Sequence, residues 1–439
     1  MLNKKDLLIL AASLIGITTT ASMANELETS MPSHTSLHET NEYKATRQGK
    51  YFIISFKQDH HVLSTSDING GQTSHLKNIV NFQSVEGNGH DRRFEEILSL
   101  SNQAYHQQVA DALKLESEKM AIMGTAANIN NLSHVQKHFR DITVDAFVTA
   151  GVKGNALRAG DTTRWYQGEN GNELIKNETT SNALTANATA NATANATTNT
   201  TATTTPIVKD SGTINIILML NRSLSSGALA KTATIITEAK SAALAELAIP
   251  SKQSSHLATG TGTDQYAIAS PINSNLSTLD SASGHLKLGE LIGDAVREAV
   301  VNGISLQNGL ERSDTRQITH ALSRFGATKA VLLKRFEQLL DQESFHLLKK
   351  NKNAVFKDAK LVAAAYAYAA VLDRIEYSTL SKNIQSDVLY DQAVNAAIAL
   401  SGKGQDWQIF REQLVLDQQK PLDLFIQACA LGWKAKWSK

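Results

Sequence analysis

The chain has 439 residues, with 43 Lys and Arg against 42 Asp and Glu, and 42% of its residues are hydrophobic. This balance excludes a polyanion-binding surplus of positive charge, and the apolar fraction excludes a wholly disordered chain. The length predicts two or three domains. The single cysteine, Cys429, excludes an internal disulfide framework, and its apolar surroundings predict an inert, buried thiol.

Residues 1–24 have the pattern of a cleavable signal peptide. Lys4 and Lys5 precede an apolar run over 7–17, and the segment ends in small residues at Ala24. Three threonines end the run short of the roughly 20 apolar residues that a membrane span needs, so we favour cleavage over an uncleaved anchor. We therefore expect cleavage after Ala24, a periplasmic or secreted protein, and no stable membrane insertion afterwards.

The next part of the chain predicts a mixture of strands and helices. Residues 25–49 are polar without periodicity, and we expect a mobile leader there. Strand-like sequence begins at Tyr51. Apolar runs and helical periodicity then predict further elements, and these are strands over 144–150, 213–220 and 266–270 and helices over about 94–115, 228–247 and 284–304.

One tract has a different composition. Residues 179–205 are almost entirely Thr, Asn and Ala, and they lack the large apolar groups that could offset the entropy of ordering. We expect a disordered insertion at about 165–210 inside one domain, not a linker between two.

Residues 311–439 are predicted to form several helices, over 316–340, 359–375, 387–400 and 407–433. The predicted fold class is therefore an α/β catalytic domain over 50–310, with a mixed sheet and packed helices, followed by an all-helical accessory domain over 311–439.

Three polar features stand out before any comparison. Lys240 falls in the middle of the apolar stripe of its helix, and periodicity alone favours a side chain that snorkels to solvent. The segment ATGTGTD (258–264) alternates Thr hydroxyls with small residues and ends in a carboxylate. His285 shares one side of its helix with Gly289 and Gly293, which indicates a shallow groove beside the histidine.

Six separated blocks, taken in order, resemble the adenosylcobinamide amidohydrolase family of the CbiZ type over about residues 50–305. They are NGGQ (69–72), TAGVKGNALRAGD (149–161), TINIILMLNRSLSSGAL (213–229), TEAKSAAL (237–244), ATGTGTDQYAIASP (258–271) and HLKLGELIG (285–293). Two features depart from the family pattern: the insertion of some fifty residues before TINIILML, and the signal peptide, which is unexpected for an enzyme that feeds cytoplasmic synthesis.

The resemblance implies hydrolysis of the amide between the aminopropanol arm and the corrin propionate of adenosylcobinamide. The products would be adenosylcobyric acid and 1-amino-2-propanol, in cobamide (vitamin B12) salvage. The implied partner is a corrinoid small molecule and not nucleic acid. Its cobalt belongs to the substrate, so no enzyme cofactor is expected, and the oligomeric state is open.

Amide hydrolysis needs an activated nucleophile, donors for the oxyanion and an acid for the leaving amine. With the resemblance, His285 is the first choice for general base, ahead of a solvent-facing role. Glu238 is a candidate base or orienter, or else part of a solvated face. Asp264 is expected to orient His285 or bind a substrate amide, or else to cap a turn. Lys240 is the candidate oxyanion donor.

The remaining candidates are hydroxyl, amide and glycine groups. Thr261 or Thr263 would be the nucleophile of a covalent route; water is the alternative. The expected substrate-binding set is Asn69, Gly70, Gly71, Asn155, Asn221, Thr259, Thr261 and Thr263. No metal is expected, because His60-His61 lacks a recognised ligand spacing. The alternative function from another class is an exported corrinoid-binding protein without turnover.

Overall fold

The computed structural model describes residues 35–84, 100–163, 165–169, 171–175, 212–272 and 275–437. The predicted signal peptide and residues 179–205 of the Thr/Asn/Ala tract lie outside these ranges. Within them the strands are β1 (Thr35–Glu39), β2 (Tyr43–Gln48), β3 (Tyr51–Phe56), β4 (His60–Ser64), β5 (Gly71–Thr73), β6 (Asn78–Gln83), β7 (Met120–Thr125), β8 (Ser133–Phe139), β9 (Ile142–Ala150), β10 (Ala156–Leu157), β11 (Trp165–Gly168), β12 (Gly171–Leu174), β13 (Ile214–Leu220), β14 (Gly260–Thr261) and β15 (Gln265–Pro271).

The helices of the described residues fall into two groups. Three belong to the first domain, and the others form the C-terminal region. They are α1 (Asn102–Leu113), α2 (Ser226–Glu246), α3 (Lys287–Asn308), α4 (Ile318–Ala321), α5 (Lys329–Leu339), α6 (Gln342–Phe356), α7 (Ala359–Glu376), α8 (Lys382–Ser401), α9 (Trp407–Gln413) and α10 (Pro421–Trp437). None of these helices is long and apolar enough to cross a membrane.

The first domain has four layers. A five-stranded sheet, in the order β1-β2-β3-β6-β7, faces a six-stranded sheet, in the order β5-β4-β15-β13-β9-β8. Side chains of both sheets, among them Phe52, Phe147 and Met219, form the core between them. Helix α1 packs on the outer face of the first sheet, and α2 and α3 pack on that of the second. The predicted α/β class is confirmed.

The first two strands correct the expectation of a mobile leader over 25–49. Strands β1 and β2 form an antiparallel hairpin, and β2 pairs in turn with β3. Tyr43 is 3% exposed and Ala45 is fully buried. Few apolar residues mark this hairpin, because its stability comes from pairing with β3 and not from its own periodicity.

The middle of the second sheet confirms the strands predicted from apolar runs. All seven residues of β13 are buried, since this strand lies between two neighbours and is covered on both faces. Strands β13 and β15 are parallel, and α2 connects them. The Ser225 side chain caps α2 by accepting a hydrogen bond from the Ala228 N–H at 3.2 Å.

The chain leaves the second sheet after β9 and returns to it at β13. Ala150 lies opposite Ile214 in the antiparallel pair, and the Gly151 N–H donates to the Thr213 carbonyl at 3.0 Å. The described residues on both sides of the Thr/Asn/Ala tract therefore belong to adjacent strands of one sheet.

The C-terminal region is helical and has its own core, which includes Tyr368 and Phe425. Cys429 is 1% exposed, and burial raises the pKa of its thiol, as expected for an inert cysteine. Two predicted helices are wrong in extent. The helix expected over 316–340 is interrupted at Gly326, whose φ is +91°. The helix expected over 407–433 is divided before Pro421, and α6 was not predicted.

Candidate active site

Four of the six sequence blocks meet where β13 and β15 begin. These parallel strands start side by side, with Asn215 opposite Gln265. The residues just before them are Thr213 and Asp264. Helix α2 starts from the far ends of the strands and returns along the sheet, and this path delivers Lys240 to Asp264.

Asp264 forms the centre of this site. Its Oδ2 atom accepts hydrogen bonds from Lys240 Nζ at 2.5 Å and from the Thr261 N–H at 2.9 Å. Its Oδ1 atom accepts from Thr261 Oγ1 at 2.5 Å and from the Ile214 N–H at 3.1 Å. The Lys240 and Asp264 side chains are 14% and 13% exposed. Lys240 therefore does not snorkel to solvent, because a half-buried carboxylate binds its ammonium.

Two further hydroxyls lie beside this ion pair. The Oγ1 atoms of Thr213 and Thr263 are 2.5 Å apart. Asn155 Nδ2 donates to Thr263 Oγ1 at 3.3 Å and to the Gly212 carbonyl at 3.0 Å. Thr213 was missed as a site residue, although its position directly before the buried strand TINIILML was the available signal.

A cavity of about 100 Å³ opens beside the ion pair. It is lined by Ile214, Ile216, Ile236, Thr237, Lys240, Asp264, Gln265 and Tyr266. Ligand sites for whole drug-sized molecules measure about 300–1,000 Å³, so this cavity suits a short side arm. Gly260 keeps the pair close to the chain, since a Cβ atom there would lie 2.4 Å from Asp264 Oδ2.

The loop after β9 is fastened beside this cavity. Thr259 Oγ1 accepts a hydrogen bond from the Ala159 N–H at 2.8 Å, and Asp161 Oδ2 accepts from Ser251 Oγ at 2.6 Å. Desolvation raises the pKa of Asp161, but hydrogen bonds from Ser251 and its neighbours outweigh it and hold that pKa below its usual value. Asp161 is thus an anchor of the loop.

His285 lies at the opposite end of the sheet, which corrects its predicted pairing with Asp264. Lys287, at the start of α3, contacts the Phe139 ring, and Phe139 pairs with Ile142 where β9 begins. Because β9 runs antiparallel to β13, this is the far end of β13, about 20 Å from Asp264 at 3.3 Å per residue. The His285 side chain is exposed.

Glu238 and Asn221 are also outside the cluster. Glu238 is exposed, and two residues of helix turn it about 200° away from Lys240. Asn221 ends β13 at the far end, where its Oδ1 accepts from the Thr143 N–H at 2.7 Å. Its Nδ2 donates to the Asp141 carbonyl at 2.9 Å, so it fastens a strand end.

The NGGQ block forms the turn between β4 and β5. Asn69 Nδ2 donates to the carbonyls of Ser117 and Met120 at 2.8 and 2.9 Å. A Cβ atom at Gly70 would lie 1.9 Å from the Ser66 carbonyl oxygen, and Gly71 has a φ of +76°. The turn itself therefore requires these three residues, whatever they contact in substrate.

A model of the adenosylcobinamide amidohydrolase family matches residues 34–312 of the chain. The layered domain with its polar cluster is thus that of an amidohydrolase, a class of hydrolase. The chain belongs to the adenosylcobinamide amidohydrolase family, and the resemblance of the six blocks is confirmed.

Two individual proteins are similar to the chain. An uncharacterized protein of Methanocaldococcus jannaschii, MJ1613, is 32% identical over 208 residues, which are 47% of this chain and 71% of that protein. The crystal structure of the PH0078 protein from Pyrococcus horikoshii OT3 aligns with 62% of this chain and 83% of that one, at 9% identity and a TM-score of 0.27. A TM-score this low does not indicate a shared fold.

Proposed function

We propose that the protein hydrolyses the amide that joins the aminopropanol arm of adenosylcobinamide to the corrin ring, as a step of cobamide salvage. Adenosylcobyric acid and 1-amino-2-propanol are the products. The observation that carries the proposal is the Lys240–Asp264 pair, which the TEAK and TGTD blocks of this family build beside a cavity. The size of the cavity suits the amide arm, and the macrocycle would stay outside it.

Lys240 is the residue that we assign to the developing oxyanion. An ammonium group has three N–H donors, and Asp264 takes one of them. The other two are available for the amide carbonyl, whose oxygen becomes negative as the nucleophile attacks. A preorganised cation in a half-buried site stabilises that charge more than water does.

Asp264 holds Lys240 in place and is not itself the base. A carboxylate offers about four lone-pair sites, and the four donors described above occupy them. No site is left for the proton of an attacking water. The backbone contacts to Thr261 and Ile214 keep the carboxylate charged and fixed, so the ammonium keeps its position.

The test is mass analysis of the corrinoid after incubation of purified protein with adenosylcobinamide. We expect the cobyric acid mass with the wild type. Lys240→Met should lower the rate about 10²–10³-fold, the usual cost of one oxyanion donor. Lys231→Met, an exposed lysine of the same helix, is the matched control and should leave the rate unchanged.

A different result would separate the proposed enzyme from a binding protein. If the wild type changes the corrin absorbance on binding but releases no aminopropanol, the exported corrinoid-binding alternative replaces the enzyme. A Lys240→Met variant that is folded by circular dichroism and fully active would overturn the assignment of Lys240 while leaving the reaction intact.

We further propose that the reaction takes place outside the cytoplasm. The pattern of residues 1–24 supports this proposal. N-terminal sequencing of native protein from fractionated cells should find Asn25 as the first residue. Soluble cytoplasmic protein that still begins with Met1 would refute export.

A further inference from the structure

Two histidines and an aspartate meet at the open edge between the two sheets. His38 lies on β1, the edge strand of the five-stranded sheet, and His134 lies on β8, the edge strand of the six-stranded sheet. Asp145 lies on β9, beside β8. One nitrogen of each imidazole and one carboxylate oxygen all lie within 4.8 Å of one another.

The distances suit a shared ion. Asp145 Oδ1 is 2.7 Å from His134 Nε2 and 3.8 Å from His38 Nε2. Tetrahedral zinc with bonds of 2.0–2.1 Å to nitrogen and oxygen holds its ligand atoms about 3.3 Å apart. The observed distances fall on either side of that value, so small side-chain rotations would bring all three atoms to a central ion.

The charge of Asp145 lacks a permanent partner. The side chain of Asp145 is 5% exposed. No lysine or arginine of the described residues forms an ion pair with it, and its neighbours are His38, His134, Gln136 and Tyr43. Burying an unpaired carboxylate costs several kcal/mol. A divalent cation would neutralise this charge, whereas neutral imidazoles do not.

A second observation comes from His38. Its Nε2 atom is buried and has no hydrogen-bond partner among the described residues. Buried ring nitrogens are normally satisfied, so such an atom calls for a partner. The ring of His38 lies 4.8 Å from that of His134, and the His134 ring stacks on Phe147 at 4.2 Å. The two imidazoles are thus held with their nitrogens toward the same carboxylate.

We propose that His38, His134 and Asp145 bind one divalent transition-metal ion of the zinc type. Two imidazole nitrogens and a carboxylate oxygen are a ligand set that zinc accepts, with water in the fourth position. Both histidines are partly exposed, at 24% and 30% of the side chain, which leaves room for that water. Gln136 Nε2 donates to Asp145 Oδ1 at 3.0 Å and orients the carboxylate.

The site is separate from the Lys240 cavity. Asp145 lies opposite Met219, five residues along β13 from Ile214, and it faces the layer between the sheets. Lys240 lies on the helix-covered face. The ion would therefore fasten the edge strand β1 to the second sheet, and the two proposals stand or fall separately.

The experiment titrates Zn²⁺ into full-length, tag-free protein that has been dialysed against a chelator. We expect one ion per chain by elemental analysis and a higher melting temperature with the ion bound. His38→Gln and His134→Gln should weaken binding at least 10²-fold, since changes to outer-shell partners alone typically cost about 10–100-fold. His138→Gln changes an exposed histidine of the same strand and should bind as the wild type does.

A second measurement needs no variant. Zn²⁺ should protect His38 and His134, but not His138, from modification by diethylpyrocarbonate, and peptide mass mapping would show this. Equal modification of His38 and His134 with and without Zn²⁺ would overturn the proposal. So would folded His38→Gln and His134→Gln variants that bind Zn²⁺ as tightly as the wild type.

Discussion

Lys240 shows at the scale of one residue why an isolated sequence feature is ambiguous. Periodicity places it in an apolar stripe, where snorkelling is the ordinary explanation. Its partner is 24 residues away in sequence, at Asp264. The contact exists because α2 and β15 follow β13 in a parallel crossover, and residue spacing alone does not reveal such a connection. Sequence reasoning therefore selected both residues but paired Asp264 with His285, which lies at the far end of the sheet.

His285→Ala is the first prediction. Because His285 is exposed and about 20 Å from the Lys240–Asp264 pair by the length of β13, we expect the variant to keep more than about half of the wild-type rate at saturating substrate. Loss of a general base would cost about 10²–10⁴-fold instead. Steady-state release of aminopropanol measures the difference. Glu238→Gln, on the exposed face of α2, should behave in the same way.

A large loss in His285→Ala with unchanged corrinoid binding would contradict this prediction. It would mean that substrate reaches the end of the sheet where α3 begins and that the chemistry takes place there. The Lys240→Met result would then decide between the two ends of the sheet.

Gly260→Ala is the second prediction. The added Cβ would lie 2.4 Å from Asp264 Oδ2 and 2.9 Å from Lys240 Nζ, so the ion pair must move. We expect turnover to fall by about tenfold or more, as is typical when catalytic groups are misplaced by a fraction of an ångström. The matched control is Gly227→Ala, whose Cβ would meet Ser225 Oγ at an ordinary 3.9 Å. Equal rates for the two variants would show that the position of this pair does not limit catalysis.

At the scale of elements, apolar pattern and burial explain which predictions are confirmed. Strand β13 is apolar along its whole length because neighbours and layers enclose it, and α3 shows a clear apolar face. The hairpin of β1 and β2 carries little such pattern, since only its pairing with β3 buries it. The break at Gly326 depends on a left-handed backbone conformation, and a single glycine in a helical pattern does not predict it.

The pairing of α5 with α10 gives a prediction about pH. Arg335 donates from Nε to Asp423 Oδ1 at 2.5 Å and from Nη2 to Oδ2 at 2.9 Å. The hydrogen bonds from Arg335 hold the pKa of Asp423 below its usual value of 3.8. A carboxyl whose pKa is lower in the folded state stabilises the fold above the unfolded pKa, and this contribution is lost as the pH falls through the folded value.

We therefore expect Asp423→Asn to lower the free energy of unfolding of the helical region by about 1 kcal/mol at pH 7. The difference from the wild type should shrink below about pH 4, where the unfolded chain takes up the proton. Urea unfolding at pH 7 and pH 3 measures both values. Arg335→Gln should show the same pH dependence, and a difference that stayed constant with pH would assign the effect to packing.

At the scale of the whole molecule, the helical region supports the loops around the candidate site. Arg158, in the loop after β9, donates from Nη1 to the Tyr377 hydroxyl at 2.8 Å. The Tyr377 ring stacks on His256 with centroids 5.1 Å apart. Arg324 donates to the Ser255 carbonyl at 2.7 Å. The segment that carries Asn155 is thus held from outside by residues that follow the family match at residues 34–312.

Tyr377→Ala is the prediction that tests this support. Removing the ring frees both Arg158 and His256, so the loop that carries Asn155 should lose its fixed position. We expect kcat/KM to fall about three- to tenfold, less than the ~10²-fold that a 1 Å misplacement of a catalytic group can cost, because Lys240 itself does not move. The melting temperature should change little, since Tyr377 is 39% exposed. Tyr377→Phe keeps the stacking on His256 and should lie between the two, while Ile384→Ala, a 42% exposed apolar residue of α8, serves as the control. If Tyr377→Ala cleaved adenosylcobinamide as fast as Ile384→Ala, the helical region would not act on the site through this contact.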